Sequence, residues 1–142
     1  MFSVDVKVGR LLEVRLVAPV TVVDIDITRK RLALFFRTFP SKLVACGDFS
    51  AADVFLPDVA DRVLGTFKQD NPKIERSGIL VNASAIFSLQ LERLVSQANN
   101  PARRCFHDPY ELKAFVGKLL TREEHGRLAA FLSERAELST RV

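Results

Sequence analysis

Leu43-Val44-Ala45-Cys46-Gly47-Asp48 is a run of four apolar residues closed by a glycine and an acid. A run this short, without polar alternation, reads as a strand covered on both faces, as strands of parallel sheets are. Its flanks set the fold class. Upstream, Thr21-Val22-Val23-Asp24 spells a capping box, in which the Thr hydroxyl takes the fourth residue's amide and Asp24 reaches back. Val22, Ile25, Arg29, Leu32, Phe36 and Phe39 then form one stripe, which predicts a helix over Val22–Thr38 stopped by Pro40. Downstream, a loop at Phe49–Leu56 leads to Pro57, which suits a first helical position because its missing amide is not needed there. Val59, Val63 and Phe67 recur at helical spacing until Asn71-Pro72. A helix on each side of a buried strand is the pattern of a β-α-β-α chain.

The pattern extends in both directions. Ser3–Val8 alternates Val4, Val6 and Val8 with polar residues, and Gly9-Arg10 fits a two-residue turn into Leu11–Val17. In that second strand Leu12, Val14 and Leu16 face inward, and Glu13 and Arg15 are expected outside. Toward the C-terminus come a strand at Glu75–Val81 and a helix capped by Ser84 that carries Phe87, Leu91 and Leu94. Arg103–Phe106 is the last strand. Asp108-Pro109-Tyr110-Glu111 and Thr121-Arg122-Glu123-Glu124 open two final helices. The expected fold is α/β: a mixed, mainly parallel sheet with an antiparallel N-terminal edge strand, crossover helices and C-terminal helices. One domain spans 1–142, with its core at about 3–133 and a frayed tail at 134–142.

Composition narrows the function classes. The chain has 142 residues, 48% of them hydrophobic, which excludes a disordered or fibrous chain. Its net charge of +4 comes from 21 basic and 17 acidic residues, and residues 1–43 account for all of it with eight basic against four acidic. Eleven Phe accompany one Tyr and no Trp, pointing to a packed interior or an oily interface. Two Cys make no disulfide framework and sit in no metal-ligand spacing, so no metal is expected. The start lacks a basic-then-apolar leader, and no apolar run approaches the ~18 residues of a membrane span. The expectation is a cytoplasmic protein without a transmembrane segment.

No catalytic constellation stands out. Cys46 lies in the buried run. Cys105 and His107 alternate about Phe106 and reach the same side of their strand, without a third partner. The carboxylate pairs Asp24/Asp26, Asp58/Asp61 and Glu123/Glu124 all fall in first helical turns, where acids favour the positive helix end. Glycine-rich phosphate loops are missing, so no cofactor and no enzymatic activity are expected. Arg29-Lys30-Arg31 is the densest basic cluster. It reads as a solvated helix face, or as a contact for an acidic partner or an anionic headgroup. The Phe residues follow core periodicity instead of interleaving with basic residues, so nucleic acid is not the expected partner.

Several segments in order resemble a known family. They are the opening hairpin, Leu43–Asp48, Asp70-Asn71-Pro72-Lys73-Ile74-Glu75-Arg76, Phe87-Ser88-Leu89-Gln90-Leu91-Glu92-Arg93, Pro101-Ala102-Arg103-Arg104-Cys105-Phe106 and Asp108–Leu120. Over residues 3–133 the chain resembles the sporulation anti-sigma-factor-antagonist-like proteins, a branch of the STAS superfamily related to the CRAL-TRIO lipid-transfer fold. The resemblance implies a regulatory interaction domain without chemistry of its own. In that family a serine after a central strand, in the motif Asp-Ser-Ser-Gly-Leu, is phosphorylated by a partner kinase. Here the stretch is Gly47-Asp48-Phe49-Ser50-Ala51-Ala52-Asp53. Asp48 matches the acid, Ser50 lies near the serine position, and the Gly-Leu is missing.

The expected function is a non-enzymatic regulatory module that binds another protein or a second copy of itself as a homodimer. Asp48, Phe49, Ser50, Phe55 and Asp58 are the candidate contacts, Ser50 the candidate phosphorylation site, and Arg29, Lys30 and Arg31 candidate anionic contacts. The alternative is a carrier or sensor for a lipid or other apolar small molecule, with Phe35, Phe39, Phe49 and Phe55 lining its pocket. A third outcome folds the Phe49–Leu56 loop down onto the core.

Overall fold

The structure, a computed structural model, describes residues 1–140, apart from the side chains of 135–140. Its elements are β1 (Phe2–Asp5), β2 (Leu11–Val17), α1 (Val22–Thr38), β3 (Leu43–Ala51) and α2 (Pro57–Asp70). A short 3-10 turn at Asn71–Lys73 leads to β4 (Ile74–Leu80), α3 (Ala85–Ala98), β5 (Arg103–Phe106), α4 (Pro109–Gly117) and α5 (Arg122–Thr140). The five strands form one sheet in chain order, with β1 antiparallel to β2 and every other pair parallel. The α/β class, the antiparallel opening strand and the C-terminal helices are as expected. The tail expected to fray overlaps α5 as far as Thr140, and residues 141 and 142 lie outside the described residues.

The helix boundaries follow from local chemistry. Thr21 Oγ1 accepts the Asp24 amide at 3.1 Å, and Asp24 Oδ2 accepts the Thr21 amide at 3.0 Å. Ser84 Oγ accepts the Phe87 amide and Asp108 Oδ1 the Tyr110 amide. The Thr121/Glu124 box opens α5 in the same way. Each cap satisfies an amide that the first turn leaves without a partner.

Steps of one strand in a constant direction, each taken with the right hand, place successive crossover helices on the same face. Accordingly Ile25 of α1, Val63 and Phe67 of α2, and Phe87 and Leu91 of α3 pack with Leu16, Phe49 and Ile79 of the sheet. Leu112 and Val116 of α4, with Leu128 and Phe131 of α5, cover Leu11, Val44, Cys46 and Leu80 on the other face. Residues two apart along a strand therefore meet the same layer.

Three expectations change. β1 ends at Asp5, whose Oδ1 takes the Val6 amide at 2.8 Å, so the turn to β2 spans Val6–Arg10 with Gly9 at φ +54. β3 does not stop at Gly47-Asp48. It pairs with β2 up to Val17↔Ala51 and with β4 up to Asp48↔Leu80, which puts Asp48, Phe49 and Ser50 in a strand and not in a loop. Gly47 serves packing instead: a Cβ there would stand 3.2 Å from the Phe49 ring. Glu13 and Arg15, expected outside, are buried, because α5 covers the face they occupy.

Candidate functional site

The carboxyl end of β3 carries the central site residues. Asp48 is 1% exposed. Arg15 Nε donates to its Oδ2 at 2.9 Å, while the Ser50 hydroxyl donates to its Oδ1 at 2.5 Å and the Ser50 amide to the same oxygen at 3.1 Å. Arg15 also donates to the Phe131 carbonyl at 2.6 Å and stacks on the Phe131 ring. Its remaining nitrogen reaches Glu134, which pairs with Arg127, which pairs with Glu13 at 2.7 Å. Five alternating charges thus link β2 and β3 to α5, from Asp48 to Glu13, with Glu134 reaching solvent. Charges as deep as Asp48, Arg15 and Glu13 hold only when paired and hydrogen-bonded, and each of these three is. The alternation of β2 hid the network, since it assumed one wet face. Two helices following the last strand were the available signal that a second layer had to be covered.

Phe49 and Phe55 are core residues, each 4% exposed, so neither is a surface contact. Phe55 packs edge-on against Phe49 at 6.5 Å and against Phe87 at 5.4 Å between centroids. The loop has folded onto the core, which is where three aromatic rings gain most from burial. Phe35 and Phe39 lie elsewhere, 6.4 Å apart and half-buried beside Val4, Leu12 and Phe36. The four phenylalanines therefore line no common pocket. They divide between two core clusters, because α1 carries one pair toward β1 while Phe49 of β3 and Phe55 of the β3–α2 connection pack toward α3.

What this connection exposes is two aliphatic side chains, Val54 and Leu56, beside the acid Asp53. Gln90 of α3 accepts the Phe55 amide through Oε1 at 2.8 Å and donates to the Phe55 carbonyl through Nε2 at 2.9 Å. Asn82 donates to the carbonyls of Ser50 and Ala52. Two amide side chains thus hold the segment from Ser50 to Phe55 in place. Beside the Gln90 clamp stand Val54 and Leu56 from the connection, and Ile86 and Leu89 from α3. Leu56 and Ile86 are 72% and 71% exposed, and Val54 and Leu89 43% and 59%. Asp53 and Asp58 are exposed on the same stretch. Gln90 and Asn82 were not foreseen, since an amide side chain carries no signal until its partner loop is placed.

Arg29, Lys30 and Arg31 diverge, as consecutive helical residues must. Arg29 Nε donates to Gln69 Oε1 of α2 at 2.6 Å, and Arg31 stacks over Phe2. Lys30 enters an open groove of about 870 Å³ with Arg37, Phe39 and Lys73. Arg29 and Lys30 line one open groove together with Asp26, and Arg31 lies apart from it over Phe2.

The reactive side chains are placed as follows. Burial pushes the Cys105 thiol up to about 12, and burial also raises Cys46. A thiol so displaced carries almost no thiolate at neutral pH. His107 follows β5 and lies 3.0 Å through Nε2 from Ser88 Oγ, a contact between two groups that sequence reading had not joined. Ser88 is buried and also donates to the Asn82 carbonyl, so the pair ties α3 to the end of β5. Among the described residues no three His, Cys, Asp or Glu side chains converge as a metal site. No described helix is long and apolar enough to cross a membrane.

One further polar group is out of place. Asp70, the last residue of α2, is 7% exposed and lines a cavity of about 60 Å³ between α1, α2 and the sheet. Burial pushes its carboxyl up to about 7 against the opposing charges of Arg103 and Arg29. The sequence held a signal, because Asp70 falls on the same helical stripe as Val59, Val63 and Phe67. Comparison of the chain with protein-family models, curated proteins and solved structures returned no match.

Proposed function

We propose that this chain is a non-enzymatic, regulatory protein-interaction module, of the anti-sigma-factor-antagonist-like type its sequence resembles. The observation that supports it is the exposed set Val54, Leu56, Ile86 and Leu89 around the Gln90–Phe55 clamp. Exposed aliphatic side chains gathered in one place mark contact surfaces more often than scattered ones do. Because Asn82 and Gln90 already hold the connection, little ordering entropy is lost when a partner docks. Four aliphatic side chains supply the centre of a contact of about 800 Å² per partner, well below what an obligate dimer buries. Asp53 and Asp58 beside them favour a partner with an apolar centre and basic groups at its rim. The partner is accordingly a different protein, met transiently.

Affinity capture from cells of the source organism, with wild-type chain and a Leu56→Glu/Ile86→Glu variant as baits, tests this reading. The expected result is a protein retained by the wild type, lost with the variant, and able to capture the wild-type chain in reverse. Identical capture by both baits would remove the surface from consideration. Light scattering at high concentration is expected to give a monomer, whereas a dimer broken by the double variant would assign the patch to self-association.

A further inference from the structure

A groove of about 870 Å³, open to solvent, runs between α1 and the end of α2. Ala33, Phe36 and Phe39 are its deeper lining, and the exposed Lys30, Arg37 and Lys73 stand along its rim. A smaller cavity of about 100 Å³ shares Phe36, Phe39 and Lys73 with it and adds the exposed Lys42. Helical spacing and strand pairing bring the four charges together. Lys30 and Arg37 are seven residues apart, two turns along one helix face. Lys42 and Lys73 immediately precede the paired residues Leu43 and Ile74, and like charges on neighbouring strands repel.

None of the four makes an ion pair among the described residues. Residues 29–42 hold five basic side chains and no acidic one. Asp26, on an adjoining groove with Arg29 and Lys30, accepts from Arg62 Nη1 at 2.5 Å, and Glu75 accepts from Arg10. The negative end of α1 accounts for Arg37, but Lys30 stands two turns before it. Unanswered like charges around an apolar floor are complementary to an anionic occupant with an apolar centre.

We propose that this groove holds a short, extended, acidic segment of a partner protein. One aliphatic side chain of the segment rests on Phe36 and Phe39, and its carboxylates meet Lys30, Arg37, Lys42 and Lys73. From Lys30 to Phe39 the helix advances about 14 Å, the reach of about four extended residues. Charges spread over that distance do not converge on a single phosphate. A flat bilayer would meet the basic rim and leave the deeper rings uncovered, whereas a narrow chain reaches both. A nucleic-acid strand stacks its bases on open rings, and Phe36 is only 8% exposed. The groove lies at the amino ends of β3 and β4, while Leu56 and Ile86 follow their carboxyl ends, so this second surface is independent of the first.

The experiment titrates the 15N-labelled full chain with the synthetic peptide Glu-Asp-Leu-Glu-Asp, capped at both ends, in dilute salt. Saturating amide shifts are expected at Lys30, Ala33, Arg37 and Lys73, and none at Leu56 or Ile86. Raising the salt to about 0.5 M, where the Debye length shrinks to about 4 Å, weakens binding about tenfold. Replacing the peptide's Leu by Ser weakens it about fivefold, and neither result depends on a variant folding. Lys30→Glu/Arg37→Glu weakens binding at least tenfold, whereas Leu56→Glu/Ile86→Glu binds like wild type, so the two surfaces are tested apart. Shifts that rise without saturating, equal binding by wild type and Lys30→Glu/Arg37→Glu, or equal binding of the Leu and Ser peptides would overturn the proposal. So would tighter retention on phosphatidylserine vesicles or on a thymidine oligonucleotide, which would give the groove to a membrane or a nucleic acid. Shifts at the same amides that grow with protein concentration alone and vanish in Leu56→Glu would also overturn it, by giving the groove to a second copy.

Discussion

Arg15 and Asp48 meet at 2.9 Å on the face of the sheet covered by α5, with their side chains 10% and 1% exposed. Removing one partner leaves the other charge buried and alone, which costs about 3–5 kcal/mol. Asp48→Ala and Arg15→Ala are each expected to lose that much in urea unfolding. The joint replacement Arg15→Met/Asp48→Leu should recover most of it. Single variants within 1 kcal/mol of wild type would show that the pair is wet.

Ser50 donates to the oxygen of Asp48 that Arg15 leaves open. Ser50→Ala forfeits one hydrogen bond and is expected to cost about 1 kcal/mol. Ser50→Asp sets a second carboxylate against Asp48 and should cost clearly more, with the excess shrinking when Asp48 is also replaced by Asn. Thermal unfolding of the four proteins measures it, and equal losses for Ala and Asp would detach Ser50 from the network.

Asp70 predicts a pH dependence. Its folded carboxyl is raised from the ordinary 3.8 to about 7, so between those values the folded state holds the proton more tightly than the unfolded chain. Stability from this group is therefore full below pH 4 and falls as pH rises to about 7, by at most about 4 kcal/mol. Asp70→Asn should abolish that slope and be the more stable form at pH 8. A wild-type stability that climbs over the same window, with Asp70→Asn unchanged in slope, would contradict the assignment.

Phe55 and Leu56 are adjacent and opposite in environment, 4% and 72% exposed. Phe55→Ala removes a ring packed on Phe49 and Phe87 and is expected to cost about 3–5 kcal/mol. Leu56→Glu should change stability by no more than about 0.5 kcal/mol. Chemical denaturation separates the two, and a large loss at Leu56 would mean that its side chain is covered in solution.

The sequence by itself determined the order of elements, because caps, prolines and periodicity are local. Thr21, Pro57, Ser84, Asp108 and Thr121 each announce a helix through groups within a few residues, and the structure starts its helices there. It also placed the antiparallel strand ahead of the parallel ones. The helical stripes also named the dry faces of α1, α2 and α3, but tertiary structure alone decided that β2 would be dry on both faces. Glu13 and Arg15 sit at positions that local alternation assigns to water, and only the later arrival of α5, more than a hundred residues downstream, buries them. The same long-range packing drew Phe49 and Phe55 inward and left Val54 and Leu56 outside. Burial depends on what lies across the gap, and in this chain the covering element comes from the far end of the sequence.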